Sequence, residues 1–153
     1  KSKNIIKVDY VKGFAMLINI KKIKNIGMFD ENIFLYLEEI DLCKRLKDIN
    51  ENIFIVKDAK IKHLGAKSSN IGFEYEKCQS WHWMWSKVYM DKKNFNFKYA
   101  LKKYFFLIFK YLIKSFLNLI ILKFKKAQIC YLRSSAIINS LNGKKSFYRP
   151  KIN

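Results

Sequence analysis

The apolar positions of this chain change rhythm along its length, and each rhythm predicts a different element. Ile5 to Tyr10 and Gly13 to Ile20 are short, β-branched apolar runs punctuated by Gly13. They predict two strands joined tightly at Val11-Lys12-Gly13-Phe14. Gly13 itself reads either as a turn glycine or as a place where backbone approaches a ligand. Ile23 to Ile26 reads as a short helical or irregular link closing at Gly27. The period then lengthens: Leu42 and Leu46 recur four apart, Asp41 and Arg45 share that spacing, and acids crowd the first turn. A helix starting near Leu37 or Glu38 follows, because i,i+4 pairs and N-terminal carboxylates both favour it. Beyond it the pattern predicts a turn at Asn50 to Asn52, a strand at Ile53 to Val56, a turn at Asp58-Ala59, and a last short strand at Ile61 to Leu64 carrying His63.

After Ser69 the polarity pattern becomes helical and aromatic. Cys78 to Met90 holds Trp81-His82-Trp83-Met84-Trp85, which predicts an aromatic helix in which His82 is a packing residue. Tyr99 to Lys126 predicts one long helix. At about 100° per residue, Lys103, Lys110, Lys114, Asn118 and Lys125 share a stripe, while Phe105, Phe106, Leu112, Ile113, Phe116 and Ile120 fill the rest. The longest charge-free run within it, Ser115 to Leu122, is far short of the roughly 20 apolar residues that span a bilayer. Such a helix suits either a membrane interface, with lysines at anionic headgroups, or burial against a catalytic domain. Arg133 to Pro150 reads as a helix end, a turn and a basic tail.

Charge sharpens the division. The chain carries a formal net charge of +19. Through Asp91 there are 16 basic residues against 12 acidic ones, whereas from Lys92 onward there are 15 basic residues and no acid. These two halves therefore have different partners, and the domain division is expected at 1–72, the transferase-like part, and 73–153, the aromatic and basic helical region. Half the residues are hydrophobic and 16% aromatic, a composition that folds rather than one of a disordered tail. Cys43, Cys78 and Cys130 are odd in number and far apart, which matches neither a disulfide framework nor zinc spacing and reads as reduced thiols of a cytosolic protein. No charged segment leads into an apolar run near Lys1, so no signal peptide is expected.

Against that basic background, five of the twelve carboxylates (Asp30, Glu31, Glu38, Glu39 and Asp41) fall within a few residues. Like charges held together raise one another's pKa and cost stability unless a cation or a proton-transfer task compensates. Phe29, Phe34, Leu35 and Tyr36 flank them, which places them at the lip of a packed pocket. A solvated, well-capped helix start accounts for the same residues. His63, at a predicted strand end and followed by the small polar run Leu64-Gly65-Ala66-Lys67-Ser68-Ser69, reads as structural or as part of a phosphate site.

Taken together, Gly13, Ile26-Gly27-Met28-Phe29-Asp30-Glu31, Phe34 to Arg45, and His63-Leu64-Gly65-Ala66-Lys67-Ser68 resemble the C-terminal half of the family 2 glycosyltransferases, rhamnosyltransferase-like members above all. The resemblance covers roughly residues 8 to 69. It implies an α/β fold: the C-terminal portion of a GT-A nucleotide-sugar transferase, followed here by amphipathic helices. It implies inverting sugar transfer from a nucleotide-sugar donor to a polysaccharide or lipid-linked acceptor, at the cytoplasmic face of the inner membrane. Glu39 maps to the catalytic base, where the family's pattern has Asp. Gly13, Asp30, Glu38 and Asp41 map to the acceptor side, with Glu38 and Asp41 also supporting the helix. His63 maps to a metal or diphosphate contact, and Lys67 to the leaving diphosphate. A divalent metal, Mg or Mn, is implied, held mostly by a donor half with a D-x-D motif. No D-x-D occurs in this sequence, so the chain alone is expected to be inactive. Two other readings stand beside this one: a non-catalytic membrane-associated scaffold, and a basic nucleic-acid-binding protein, against which scarce Arg and the acidic cluster argue.

Overall fold

The computed structural model describes residues 4–64 and 72–150. It is mostly helical, with five helices and one two-stranded sheet among the described residues. The chain forms two compact units: one takes the residues up to Glu31 and resumes at Leu37, and the other takes Asn32–Tyr36 and the helices from Gly72 on.

In the first unit, β1 (Ile5–Val8) pairs antiparallel with β2 (Ile53–Val56), in a register that sets Ile5 against Val56 and Val8 against Ile53. Between them run α1 (Ile20–Lys24) and α2 (Glu38–Asp48). Asn19 caps α1 by accepting from the amides of Lys21 and Lys22, the usual Asn solution for a helix start. The amphipathic period of α2 buries Leu42 and Cys43. Its end is a Schellman turn in which the Glu51 amide reaches the Leu46 carbonyl and Asn50 takes a φ of 61°, as Asn tolerates.

Two predicted strands do not form. Residues 13–19 and 61–64 lie outside the ladder among the described residues. Their apolar residues could line a sheet, but a strand also needs a neighbour for its amides, and among the described residues only β1 and β2 are paired. His63 therefore sits on an irregular segment, not at a strand end. An open cleft of about 1150 Å³ borders that irregular run, lined by Phe14, Leu17, Leu42, Leu46, Phe54 and Ile61 among others.

In the second unit α3 (Gly72–Asn94), α4 (Phe97–Ile120) and α5 (Phe124–Leu141) pack into one core. Trp81, Met84, Trp85 and Val88 of α3 meet Ala100 and Tyr104 of α4 and Ala136, Ile137 and Leu141 of α5. The α3 contributors recur at three and four residues, the spacing of one helix face. Buried hydroxyls are satisfied across helices: Ser140 Oγ donates to the Trp85 carbonyl at 3.0 Å and Ser115 Oγ to the Ala127 carbonyl at 2.8 Å.

The predicted helix over 99–126 is two helices. At the end of α4 the Lys123 amide bonds the Asn118 carbonyl and the Leu122 amide bonds that of Leu119, with Leu122 at φ 54°. This is a Schellman turn whose left-handed position holds Leu instead of the usual Gly. Lys125 consequently belongs to α5 and leaves the predicted basic stripe. Asn118 keeps its place one turn after Lys114, half-buried, with its amide donating to the Lys114 carbonyl at 2.6 Å. His82 is buried as a packing residue: one ring nitrogen meets the Tyr148 carbonyl at 2.7 Å, and burial pushes its pKa below the usual imidazole value.

Candidate active site

The acidic stretch is organised by two features of its backbone. Tyr36 and Leu37 both have positive φ, 66° and 71°, the left-handed region that non-glycine residues avoid at a cost of about 1–3 kcal/mol each. Leu37 is then the N-cap of α2 and offers no side-chain cap. The turn thus spends conformational energy to begin a helix directly at Glu38-Glu39, with their carboxylates at its positive end. Strain of this kind persists where the geometry it enforces is used.

Glu38 and Glu39 are both half-buried, and each has one carboxylate oxygen, Oε2, that is buried with no hydrogen-bond partner. A buried acceptor left unmatched costs about 1–3 kcal/mol, so two side by side call for a ligand or a proton. Burial pushes the Glu38 carboxyl above the usual carboxylate range, and the Glu39 charge adds to the rise.

Residues 13 and 14 bring further members of the set together. A Cβ placed on Gly13 would stand 3.5 Å from the Glu39 Cβ. Phe14 stacks on His63, with ring centroids 4.7 Å apart and planes 12° from parallel. One two-residue stretch therefore touches both Glu39 and His63, although neither Gly13, Glu39 nor His63 lines the large cleft. Gly13 is absent from the positive-φ positions, so what a glycine supplies there is space.

Asp41 occupies a different environment. It is 1% exposed, and Arg45 Nε donates to its Oδ2 at 2.8 Å, the predicted i,i+4 pair. The same guanidinium donates to the carbonyls of Ile26 at 2.6 Å and Met28 at 2.5 Å. Arg45 therefore ties α2 to the loop that carries the half-buried Asp30, whose turn is made by Gly27 and Met28 at φ 87° and 54°. Sequence reasoning missed this loop contact. One signal was available: in a chain with 28 Lys and 3 Arg, an Arg marks a place where a planar fork of donors is needed.

The stretch before the strained turn belongs to the helical unit. Ile33 is buried, the Ser86 hydroxyl donates to the Leu35 carbonyl at 2.9 Å, and Phe34 lies between the His82 ring and the Arg149 guanidinium, the latter 3.6 Å from its centroid. Tyr36 meets Trp83 edge-on. The aromatic α3 thus holds Phe34, Leu35 and Tyr36 within the helical unit, contacts the sequence pattern did not reveal.

Lys67 and the other members of the Gly65 to Ser69 run lie outside the described residues. Among the described residues no group of three or more His, Cys, Asp or Glu is placed to hold a metal ion, so this part of the chain does not by itself fit the implied divalent cation. Burial pushes the Cys43 and Cys78 thiols up, which makes them poor nucleophiles.

Over 53 residues, 35% of this chain, the sequence is 38% identical to the low-salt glycan biosynthesis hexosyltransferase Agl10 of Haloferax volcanii, and the match covers 17% of that protein. No family model matches the chain, and no solved structure matches it. The similarity relates part of this chain to a glycosyltransferase.

Proposed function

We propose that this chain is the acceptor-side, catalytic-base portion of a GT-A, family 2-like glycosyltransferase. It works in an inverting transfer from a nucleotide-sugar, rhamnose by resemblance, to a polysaccharide or lipid-linked acceptor at the cytoplasmic membrane face. The observation that carries the reading is the pair of buried, unmatched carboxylate oxygens of Glu38 and Glu39 at the head of a strained helix start. The partial similarity to a hexosyltransferase supports it.

In this reading the acceptor hydroxyl donates to Glu39. Its oxygen forms the new bond to the anomeric carbon as the bond to the diphosphate oxygen breaks, and its proton passes to the carboxylate. Glu38, with its raised pKa, keeps a proton more readily than an ordinary carboxylate and so limits repulsion at the base. Arg45 and Asp41 fix α2, and through the Ile26 and Met28 carbonyls they fix the loop bearing Asp30. Gly13 leaves room above Glu39, and His63, stacked on Phe14, would face the leaving group. A divalent metal would stabilise the departing diphosphate. The donor half would supply its ligands.

The test is Glu39→Gln in the complete enzyme. Transfer falls by three or more orders of magnitude while nucleotide-sugar binding persists. Near-normal turnover removes Glu39 from the base role. No transfer even by the unaltered chain with its donor half supplied would favour the scaffold reading.

A further inference from the structure

Helix α4 has three faces, and the fold uses one of them. Ala100, Tyr104 and Ser115 are buried toward α3 and α5. Roughly opposite, at about 100° per residue, stand Phe105, Phe106, Phe109, Ile113, Phe116 and Ile120, all exposed, with Phe106 at 78%. Phe105 packs edge-on against both Phe106 and Phe109 at 5.4 and 5.1 Å, so these rings stand as a preformed cluster in solvent. From Phe105 to Ile120 the face runs about 23 Å. A contiguous apolar face of that length is an interaction surface and not ordinary surface scatter.

The charges around it identify what covers it. Lys110 and Lys114 form a row along one edge; Lys103 continues that row but is committed to Asp91 at 2.8 Å. Lys102 closes the face at one end, and Lys123 and Lys126 close it at the other, just past the exposed Leu122 turn. No acidic residue occurs from Lys92 onward. A second copy laid on this face would set lysine rows against each other with no carboxylate between them. A nucleic acid would find the centre of the face greasy and its cations confined to the rim. A lamellar surface of anionic lipid matches both parts, with acyl chains meeting the rings and headgroups meeting the lysines. No helix among the described residues is long and apolar enough to cross a membrane, so the geometry is that of a helix lying in the interface.

We propose that the outward face of α4 is a docking surface for anionic phospholipid bilayers, with its axis in the membrane plane. The proposal rests on the helical unit alone and stands whether or not Glu39 is a catalytic base.

The experiment is cosedimentation of the full chain with large unilamellar vesicles. One set contains a third phosphatidylglycerol in phosphatidylcholine, and the other phosphatidylcholine alone, both in 0.1 M salt. Binding to the anionic vesicles should be at least tenfold tighter. Phe106→Glu with Phe116→Glu, both at exposed positions, should weaken it tenfold or more with an unchanged circular dichroism spectrum. Ile113→Gln with Ile120→Gln should act in the same direction without adding charge. Lys110→Glu with Lys114→Glu should also weaken it and flatten its salt dependence. Equal binding of wild type and both face variants overturns the proposal, because lysines elsewhere then suffice. Equal binding to both vesicle types removes the anionic preference. A concentration-dependent dimer abolished by the face variants, without vesicle binding, assigns the face to a second copy instead.

Discussion

Gly13 lies over Glu39 with room for one carbon and little more: a Cβ added there would meet the Glu39 Cβ at 3.5 Å, ordinary contact. The glycine is thus a spacer above the proposed base. Gly13→Ala should leave stability within about 0.5 kcal/mol of the parent. Gly13→Leu must displace either itself or Glu39, and in the complete enzyme it should lower kcat at least tenfold with a normally folded protein. Full activity of Gly13→Leu would show that the space is not used.

Arg45 serves three acceptors at once, Asp41 Oδ2 and the carbonyls of Ile26 and Met28. Removing it leaves a buried carboxylate without its cation, the costly way to break such a pair. Arg45→Ala should destabilise the protein by about 3 kcal/mol in urea unfolding. Arg45→Lys should recover only part of this, because an ammonium cannot hold the fork geometry. Equal stability of the Lys variant and the parent would reduce the contact to simple charge pairing.

Glu38 and His82 should make stability depend on pH with opposite signs. Glu38 holds its proton more tightly in the folded protein than at its ordinary value of 4.5. The folded state therefore binds more protons between those two values, and stability falls as pH rises through that window. Glu38→Gln should remove the fall, gaining on the parent from pH 4 to pH 7 in thermal unfolding.

His82 is pushed below its ordinary 6.5 by burial. The unfolded chain then takes up the proton first, so stability is lost as pH drops through 6.5 toward the folded value. His82→Gln retains an amide able to donate to the Tyr148 carbonyl. It should flatten the loss between pH 7.5 and pH 5.5, even if its stability at pH 7.5 is lower. A variant with the parent's slope would place that titration elsewhere.

Leu122 occupies the left-handed position of the α4 Schellman turn at φ 54°. Glycine takes that conformation without the Cβ penalty, so Leu122→Gly should stabilise the protein by about 1 kcal/mol. A loss instead would mean that the exposed Leu side chain has a packing partner.

Helix ends show why part of the fold could be read directly and part could not. Four helices close with the same pair of backbone bonds, and their left-handed residues are Gly27, Asn50, Leu122 and Gly143. Asn and Gly announce themselves in a sequence; Leu does not, so 99–126 reads as one helix. The start of α2, its Asp41–Arg45 pair, the strand at Ile53–Val56 and the aromatic α3 follow from local periodicity and charge, and these the sequence carries in full view. Strand formation at 13–20 and 61–64 depends on a distant partner, which local composition does not encode. The candidate site divides the same way. Clustered carboxylates are visible from composition, whereas the unmatched oxygens of Glu38 and Glu39 and the consecutive left-handed residues before them arise only in three dimensions.

The interleaving of the two units bears on how such a chain can be shortened or recombined. The backbone passes from one unit to the other three times, at 31–32, at 36–37 and again after the first unit ends. A single cut after residue 64 would leave Asn32–Tyr36 behind without the helices that bury Ile33 and hold the Leu35 carbonyl. The helices expressed alone would in turn lack the segment that fills the space beside His82. A gene joint that respects both units cannot be a single breakpoint.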